Sequence, residues 1–567
     1  MFRHALPLTL LLAGCATQPL ADVAGPPGAG TMAVSAADPR AEEAGLAMLE
    51  QGGSATDAAI AVMLALSVVE PQSSGIGGGG FLVRGEADGT VTSYDGRETA
   101  PAGATPDWFL AEDGTLPLFR ASVESGLSVG VPGNIALAAK AHAAHGKLDW
   151  ARLFAPAIAL ARDGFQITPR MHGALSSARA TGARSDTARA LFYDAAGEPL
   201  PAGTQVRNAE LARTLEAVAT RGADAFYTGD NARALADTVA ADTPKPGAMT
   251  LADVTGYEAQ QRTALCTTYR AYRICSMGPP TSGGIAVMQI LGQLERFDLA
   301  ALGADNPVTW HLFIEAQRLA YADRELYLAD SDFVQVPVEG LLDKSYLANR
   351  SALISADRRM ANVAPGTPRG APLALADGDE PEERGTSHFS VVDKAGTMVS
   401  YTSTIESSFG SGLMVGGYYL NNELTDFSRS PQVDGRMVAN RVEGGKRPRS
   451  SMAPTIAYDP AGEPFMAVGA AGGSTIPITT ARAIIGAIDF DLDARGALGL
   501  PFLMAFGERV LLEEGTWLEA QADAFRALGH TELMIRAAPI KGGAVLRRAG
   551  AWQSARDPRL EGQVDLP

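Results

Sequence analysis

Ten residues, Arg384-Gly385-Thr386-Ser387-His388-Phe389-Ser390-Val391-Val392-Asp393, constrain this chain more than any other stretch. From His388 to Val392, the residues His388, Ser390 and Val392 alternate with Phe389 and Val391, the period-two pattern of a strand with two unlike faces. A turn over Asp393-Lys394-Ala395-Gly396 and a second strand from Thr397 to Ser403 make the segment a hairpin. The loop before it, Ala374 to Glu383, carries Asp377, Asp379, Glu380, Glu382 and Glu383 with Gly378 and Pro381, too polar to bury a core. Thr386 therefore stands where an exposed loop becomes a strand. On these residues alone the junction is either an ordinary hairpin start or a place where a precursor cuts itself and exposes a threonine.

The rest of the chain narrows the choice. At 567 residues, with 46% apolar and 20% charged residues, it holds enough hydrophobic material for one large layered domain or more than one core. A net charge of −17 repels nucleic acid and anionic lipid surfaces, which leaves small molecules as partners. Its 62 glycines cluster in short runs, which suits tight turns and close backbone approach.

Residues 1–15 read as a lipoprotein-type export signal: Arg3 is the positive end, Ala5 to Ala13 the apolar run, and Leu12-Ala13-Gly14-Cys15 the lipobox-like end. Cys15 is then the lipidated residue and 16–30 a Gly/Pro/Ala-rich linker, and Ala16, by resemblance to known lipoproteins, points to the outer membrane. A plain secretory signal is the alternative, and both place the body in the periplasm. No other stretch approaches the roughly 20 apolar residues of a membrane span.

Cys266 and Cys275 flank two short strands around a turn and are either a cross-strand disulfide or two buried thiols. The cysteine spacing is wrong for zinc, the seven histidines form no metal cluster, and His142 with His145 reads as part of a solvated helix face. Neither a metal nor a cofactor is expected.

Helices are predicted over Ala41–Gln51, from the Ser54/Asp57 cap to Val69, and over Gly133–His145, Trp150–Asp163, Ala209–Arg221 and Pro307–Tyr327. Strands are predicted within Phe389–Tyr419, and at Thr455–Tyr458 and Phe465–Val468. Gly75-Ile76-Gly77-Gly78-Gly79-Gly80 matches GxGxxG but precedes a strand, which excludes a dinucleotide site. Strands mixed with flanking helices predict a layered α/β sandwich.

Four clusters downstream of Thr386 supply further chemistry. Thr402-Ser403-Thr404-Ile405-Glu406 ends the second strand in polar groups, and Asn421-Asn422-Glu423-Leu424-Thr425-Asp426 puts two carboxylates three apart. Lys446-Arg447-Pro448-Arg449-Ser450-Ser451 offers adjacent hydroxyls, and Gly469-Ala470-Ala471-Gly472-Gly473-Ser474 offers unhindered amides.

With these clusters, and with Ser73-Ser74-Gly75-Ile76-Gly77-Gly78-Gly79, Arg97-Glu98-Thr99-Ala100-Pro101, Gly278-Pro279-Pro280-Thr281-Ser282-Gly283-Gly284 and Ala322-Asp323-Arg324, the chain resembles the γ-glutamyltranspeptidase family of N-terminal-nucleophile hydrolases. The resemblance runs from the Gly52-Gly53-Ser54-Ala55-Thr56-Asp57 segment to the C-terminus. It implies a four-layer αββα sandwich and self-cleavage between Gly385 and Thr386, giving a large subunit (31–385) and a small one (386–567) that stay together as a heterodimer. It further implies that Thr386 is the nucleophile with its own α-amine, of reference pKa about 8, as base. Thr404 would assist, and Gly472 and Gly473 would form the oxyanion hole. Arg97, Ser450 and Ser451 would hold the substrate carboxylate, and Glu423 and Asp426 the ammonium of γ-glutamyl peptides such as glutathione. Water, an amino acid or a dipeptide would take the acyl group.

The sequence departs from the family pattern twice. Glu406 stands where Asn is expected, so three carboxylates meet one ammonium, and one of them is expected to be protonated or paired with a base such as Arg449. The segment Ser430 to Gly445, the counterpart of a lid loop, has no aromatic residue. Two other readings remain: a glutaryl-type cephalosporin acylase of the same fold, and an unprocessed lipoprotein that only binds peptides.

Overall fold

The computed structural model describes residues 31–242, 245–372, 375–376, 378 and 385–564. The signal with Cys15, the linker, Arg384 and most of the acidic loop lie outside the described residues.

Twelve strands build the centre: β1 (Ala33–Ala36), β2 (Gly79–Gly85), β3 (Val91–Asp95), β4 (Gln260–Arg262), β5 (Leu265–Tyr269), β6 (Tyr272–Ser276), β7 (Gly385–Val392), β8 (Met398–Glu406), β9 (Thr455–Tyr458), β10 (Pro464–Ala471), β11 (Lys541–Arg548) and β12 (Ala551–Arg556). They form two six-stranded antiparallel sheets, ordered β1-β7-β8-β2-β3-β4 and β12-β11-β10-β9-β6-β5. Helices α1 (Pro39–Glu50) and α2 (Ala55–Val69) cover the first sheet, and α3 (Trp150–Asp163) packs outside them. The outer face of the second sheet is covered by α4 (Gly283–Leu294), α5 (Pro307–Tyr327) and α6 (Ile476–Ile488). The result is the four-layer αββα sandwich.

The alternation read in β7 now has a physical meaning. Phe389 and Val391 join the core beneath α2, while Val392 packs with Met398, Ile456 and Met466 between the sheets. A strand buried on both faces must satisfy both neighbours, and here one face carries Phe389 and Val391 while the other carries Thr386, His388 and Ser390 before ending on Val392. Helix α2 is buried at every position, and its start is fixed by a capping box in which Ser54 accepts from Asp57 N and Asp57 accepts from Ser54 N. The Asp57 carboxylate also accepts from Lys147 N at 2.8 Å, which ties a distant loop to the helix start.

Ala209–Arg221, Pro307–Tyr327 and Thr455–Tyr458 have the predicted bounds. Cys266 lies opposite Cys275 across β5 and β6, and the two are joined as a disulfide. The glycine run is a packing device: a Cβ on Gly78 would lie 2.0 Å from the Thr404 carbonyl oxygen. Two histidine expectations are corrected. The rings of His142 and His145 turn inward rather than to solvent, toward the Leu148 carbonyl and the Tyr94 hydroxyl, because the helix that carries them lies against the first sheet. And His311, Glu315 and His530 do converge, with ligand atoms within 4.8 Å of one another, because α5 brings the first two onto one face. Most of their atoms are already engaged, His530 Nδ1 excepted: His311 Nδ1 lies 2.7 Å from His530 Nε2, and the Glu315 oxygens accept from Arg318 and from Met360 N. Among the described residues no helix is long and apolar enough to cross a membrane.

Candidate active site

Antiparallel pairing sets Thr386 opposite Thr404, His388 opposite Thr402 and Ser390 opposite Ser400. This polar ladder faces the second sheet, where Gly469 lies close enough that a Cβ on it would sit 2.4 Å from the His388 ring. His388 bonds Thr402 through Nδ1 and Ser390 through Nε2, each at 2.9 Å. Burial alone pushes its pKa down to about 3, so it is neutral and structural at working pH.

The end of the ladder carries the reactive arrangement. Thr386 Oγ1 lies 2.7 Å from the carbonyl oxygen of Gly385 and 3.3 Å from Thr404 Oγ1. Thr404 donates to the same carbonyl at 2.5 Å and accepts from Glu406 N at 2.8 Å. Two hydroxyls thus flank the Gly385 carbonyl, both within hydrogen-bond distance of its oxygen. Only glycine fits before the threonine: a Cβ on Gly385 would sit 2.2 Å from the Glu406 carbonyl oxygen, and backbone cannot yield as a side chain can.

Past Thr404 the pairing slips by one residue, and this bulge puts Glu406 at φ 73°, a left-handed conformation costly for a glutamate. The effect is to aim its carboxyl into a buried cluster with Glu423 and Asp426, which share one turn of 3₁₀ helix, and Glu98. One guanidinium stands among them. Arg97 pairs with Glu423 and Asp426, and donates to the carbonyls of Pro448 at 3.1 Å and Arg449 at 2.9 Å. Burial, opposed by Arg97, raises Glu98 to about 7; burial and the Asp426 charge raise Glu406 to about 8; burial raises Glu423 well above the carboxylate range. Among the described residues, Arg97 does not offset the burial of these carboxyls in a low dielectric, and Glu98, Glu406 and Glu423 all titrate above the ordinary carboxylate range. Arg449, the base expected to pair with Glu406, sends its guanidinium to Glu325 instead and meets Arg97 through its backbone carbonyl.

Ser450 and Ser451 follow Arg449 on the strap that carries those carbonyls. Ser451 Oγ accepts from Arg324 at 2.7 Å, and Ser450 Oγ from Met452 N at 3.1 Å, so both keep a proton to donate. Gly472 (φ 132°) and Gly473 (φ 60°) end β10 in left-handed backbone before α6.

Sequence reasoning missed a second polar cluster beside Thr386. Glu70, at the end of α2, accepts from Ser387 Oγ at 2.6 Å, Lys541 Nζ at 3.2 Å and Arg170 Nε at 3.1 Å. Burial opposes its charge, but Lys541, Arg170 and Ser387 together hold it below the usual carboxylate value. Burial pushes Lys541 down to about 7. Glu98 was missed as well, although its place next to Arg97 in the same motif was a signal that could have found it.

With this geometry in view, the similarities carry weight. The γ-glutamyltranspeptidase family model matches residues 41–566. The glutathione hydrolase proenzyme of Bacillus subtilis (strain 168) is 38% identical over 482 residues, 82% of this chain and 79% of that protein. An acylase ACY 1 proenzyme of Pseudomonas sp. (strain V22) is 33% identical over 512 residues, 89% and 87% of the two chains. A crystal structure of a cephalosporin acylase from Bacillus halodurans superposes with a TM-score of 0.82 at 25% identity, covering 97% of this chain and 98% of that one. A chain that places a Gly-Thr junction, a buried arginine among carboxylates and this sandwich together, and matches the family model over nearly its whole length, belongs to the γ-glutamyltranspeptidase family.

Proposed function

We propose that the protein is a self-processing γ-glutamyl hydrolase and transferase acting on glutathione and related γ-glutamyl compounds. Thr386 Oγ attacks the Gly385 carbonyl carbon, the peptide nitrogen leaves as the Thr386 α-amine, and water cleaves the resulting ester to free the Gly385 carboxylate. In the processed enzyme the α-amine takes the proton of its own hydroxyl, which attacks the γ-amide. The oxyanion forms against the amides of Gly472 and Gly473, Thr404 supports the nucleophile, and the γ-glutamyl ester passes to water or to an amine. Cys15, if lipidated, tethers the enzyme on the periplasmic side.

The observation that carries this reading is the buried head-group cluster. Arg97, Ser450 and Ser451 suit an α-carboxylate, and Glu406, Glu423 and Asp426 suit an α-ammonium. The similarity to acylases keeps a second reading, a glutaryl acylase, but a glutaryl group has no ammonium for those carboxylates. Matched γ-glutamyl and glutaryl anilides decide between them. The expected result is a preference for γ-glutamyl of at least about 100-fold, since an unpaired buried carboxylate costs several kcal/mol; equal rates, or the reverse preference, would overturn the proposal.

Glu406 gives the pH dependence a sign. Its carboxyl must lose a proton, with a pKa of about 8, before it pairs with an ammonium. So kcat/KM rises through pH 8 in the free enzyme. In Glu406→Asn this component disappears and the Thr386 amine limb alone remains; an unchanged profile removes Glu406 from ammonium binding.

A further inference from the structure

The acyl pocket lies on the β8 and β2 side of Thr386, and the opposite side is built quite differently. β1 pairs only with Phe389 to Val392, so no described strand runs beside Gly385 to His388 on that edge. The opening is filled by the Glu70, Lys541, Ser73 and Arg170 cluster. Two adjoining cavities meet there and share Arg170 and Gln563 as walls. One runs past Gln72, Ser73 and Ser408, and the other past Gly472 and Lys541.

The charges are arranged for an anion. Glu70, fully buried and ionised, is held by two cations, so the cluster carries a net positive charge when Lys541 is protonated. Arg170 donates to Glu70 through Nε alone, while Gln563 anchors its backbone by accepting from Arg170 N at 2.9 Å. Its two terminal nitrogens are left for the cavity, since no described residue takes them. A guanidinium fixed through Nε presents those nitrogens as a fork that fits a carboxylate side-on. Lys541 bonds Glu70 and Ser73, which leaves one ammonium proton for the same cavity. The other arginine on this wall, Arg559, is committed to Glu513 and Asp557. Register places Lys541 beside Ala471, one residue before Gly472, so the cations stand next to the proposed oxyanion glycine.

We infer that this groove is the subsite for the amine-bearing partner of the reaction, and that Arg170, with Lys541, grips the C-terminal carboxylate of the leaving or accepting peptide. The inference rests on the γ-glutamyl reading only for the identity of the acyl group; the carboxylate grip applies to any acyl donor whose leaving group is a peptide. Other charged neighbours of Lys541 and the groove are Glu70, Arg559 and Asp38.

Direct binding separates this inference from the acyl reading. Calorimetric titration of the processed wild-type enzyme with glycylglycine and with glycylglycinamide, at millimolar ligand, is expected to show at least about fivefold tighter binding of the acid. In Arg170→Gln the two affinities converge, and in Lys541→Met the preference weakens and loses its decline between pH 6 and 8. Equal binding of acid and amide by the wild type, which requires no variant to fold, overturns the proposal, as does a preference that survives Arg170→Gln. Failure to hydrolyse γ-glutamyl anilide, with acid-selective binding intact, would sink the γ-glutamyl reading and leave the groove standing.

Discussion

Thr386→Ala is expected to yield one uncut chain with γ-glutamyl anilide turnover lower by on the order of 10⁴-fold or more, because the proposed mechanism gives one hydroxyl both cleavage and catalysis. The proposed double role rests on the geometry at the junction. Among the described residues, the hydroxyls at the Gly385 carbonyl are those of Thr386 and Thr404, and Thr404 already donates to the carbonyl oxygen. His388, two residues on, is buried, neutral and occupied at both nitrogens, so it offers no replacement base. Thr386→Ser, which keeps the hydroxyl, should cut and turn over. A denaturing gel with N-terminal sequencing of the small fragment, followed by the anilide assay, checks all of this. A fragment beginning at position 386 in the alanine variant would end the account.

Arg97→Met has the second largest expected effect. Its guanidinium binds two carboxylates and two backbone carbonyls at once, so its loss frees the 448–449 strap as well as removing the charge. Losing one partner of a buried charge pair costs about 2–5 kcal/mol, or roughly 30- to 5,000-fold in kcat/KM. The stability effect has a definite pH sign. Glu98, Glu406 and Glu423 titrate higher in the folded chain than the ordinary value of 4.5, so the fold binds more protons than the unfolded chain and loses stability as pH rises. Arg97 limits that loss by lowering all three. Without it the decline steepens toward pH 8, where Arg97→Met should melt well below wild type while lying closer to it at pH 5. A melting difference that is the same at both pH values would show that Arg97 does not counter these carboxyls. Arg97→Lys should recover stability better than activity, since an ammonium keeps the charge but not the fork.

Local signals were legible wherever one segment decides its own structure. The Ser54/Asp57 box fixed the start of α2, and the Pro307 helix and the Thr455 strand read out to the residue. What failed to read was structure decided from a distance. β1, Ala-Val-Ser-Ala, has almost no strand propensity of its own and exists because β7 offers it an edge. α4 opens on Gly283 and Gly284, which look like a turn, yet both pack too closely for any side chain. The site divided in the same way. Arg97, Glu423 and Asp426 stood in recognisable motifs, but nothing in the sequence around Lys541 announces that it reaches Glu70, 471 residues away. Spacing likewise hid the His311, Glu315 and His530 contact, because the third member comes from a different part of the fold.

The strand orders have a consequence for how such a protein can be made. β1 to β6 precede Thr386 and β7 to β12 begin at Gly385, yet β7 and β8 lie between β1 and β2 in one sheet, and β9 adjoins β6 in the other. After the proposed cut at Gly385–Thr386, the two polypeptides would remain woven through shared main-chain ladders, and neither half would have a complete sheet of its own. The uncut chain assembles this weave as an intramolecular event, whereas the cut pair, once unfolded, faces a search between separate molecules that becomes harder with dilution. The proposed cleavage would therefore work as a ratchet: the sequence carries instructions for one assembly, and the cut pair would no longer hold them in a single strand.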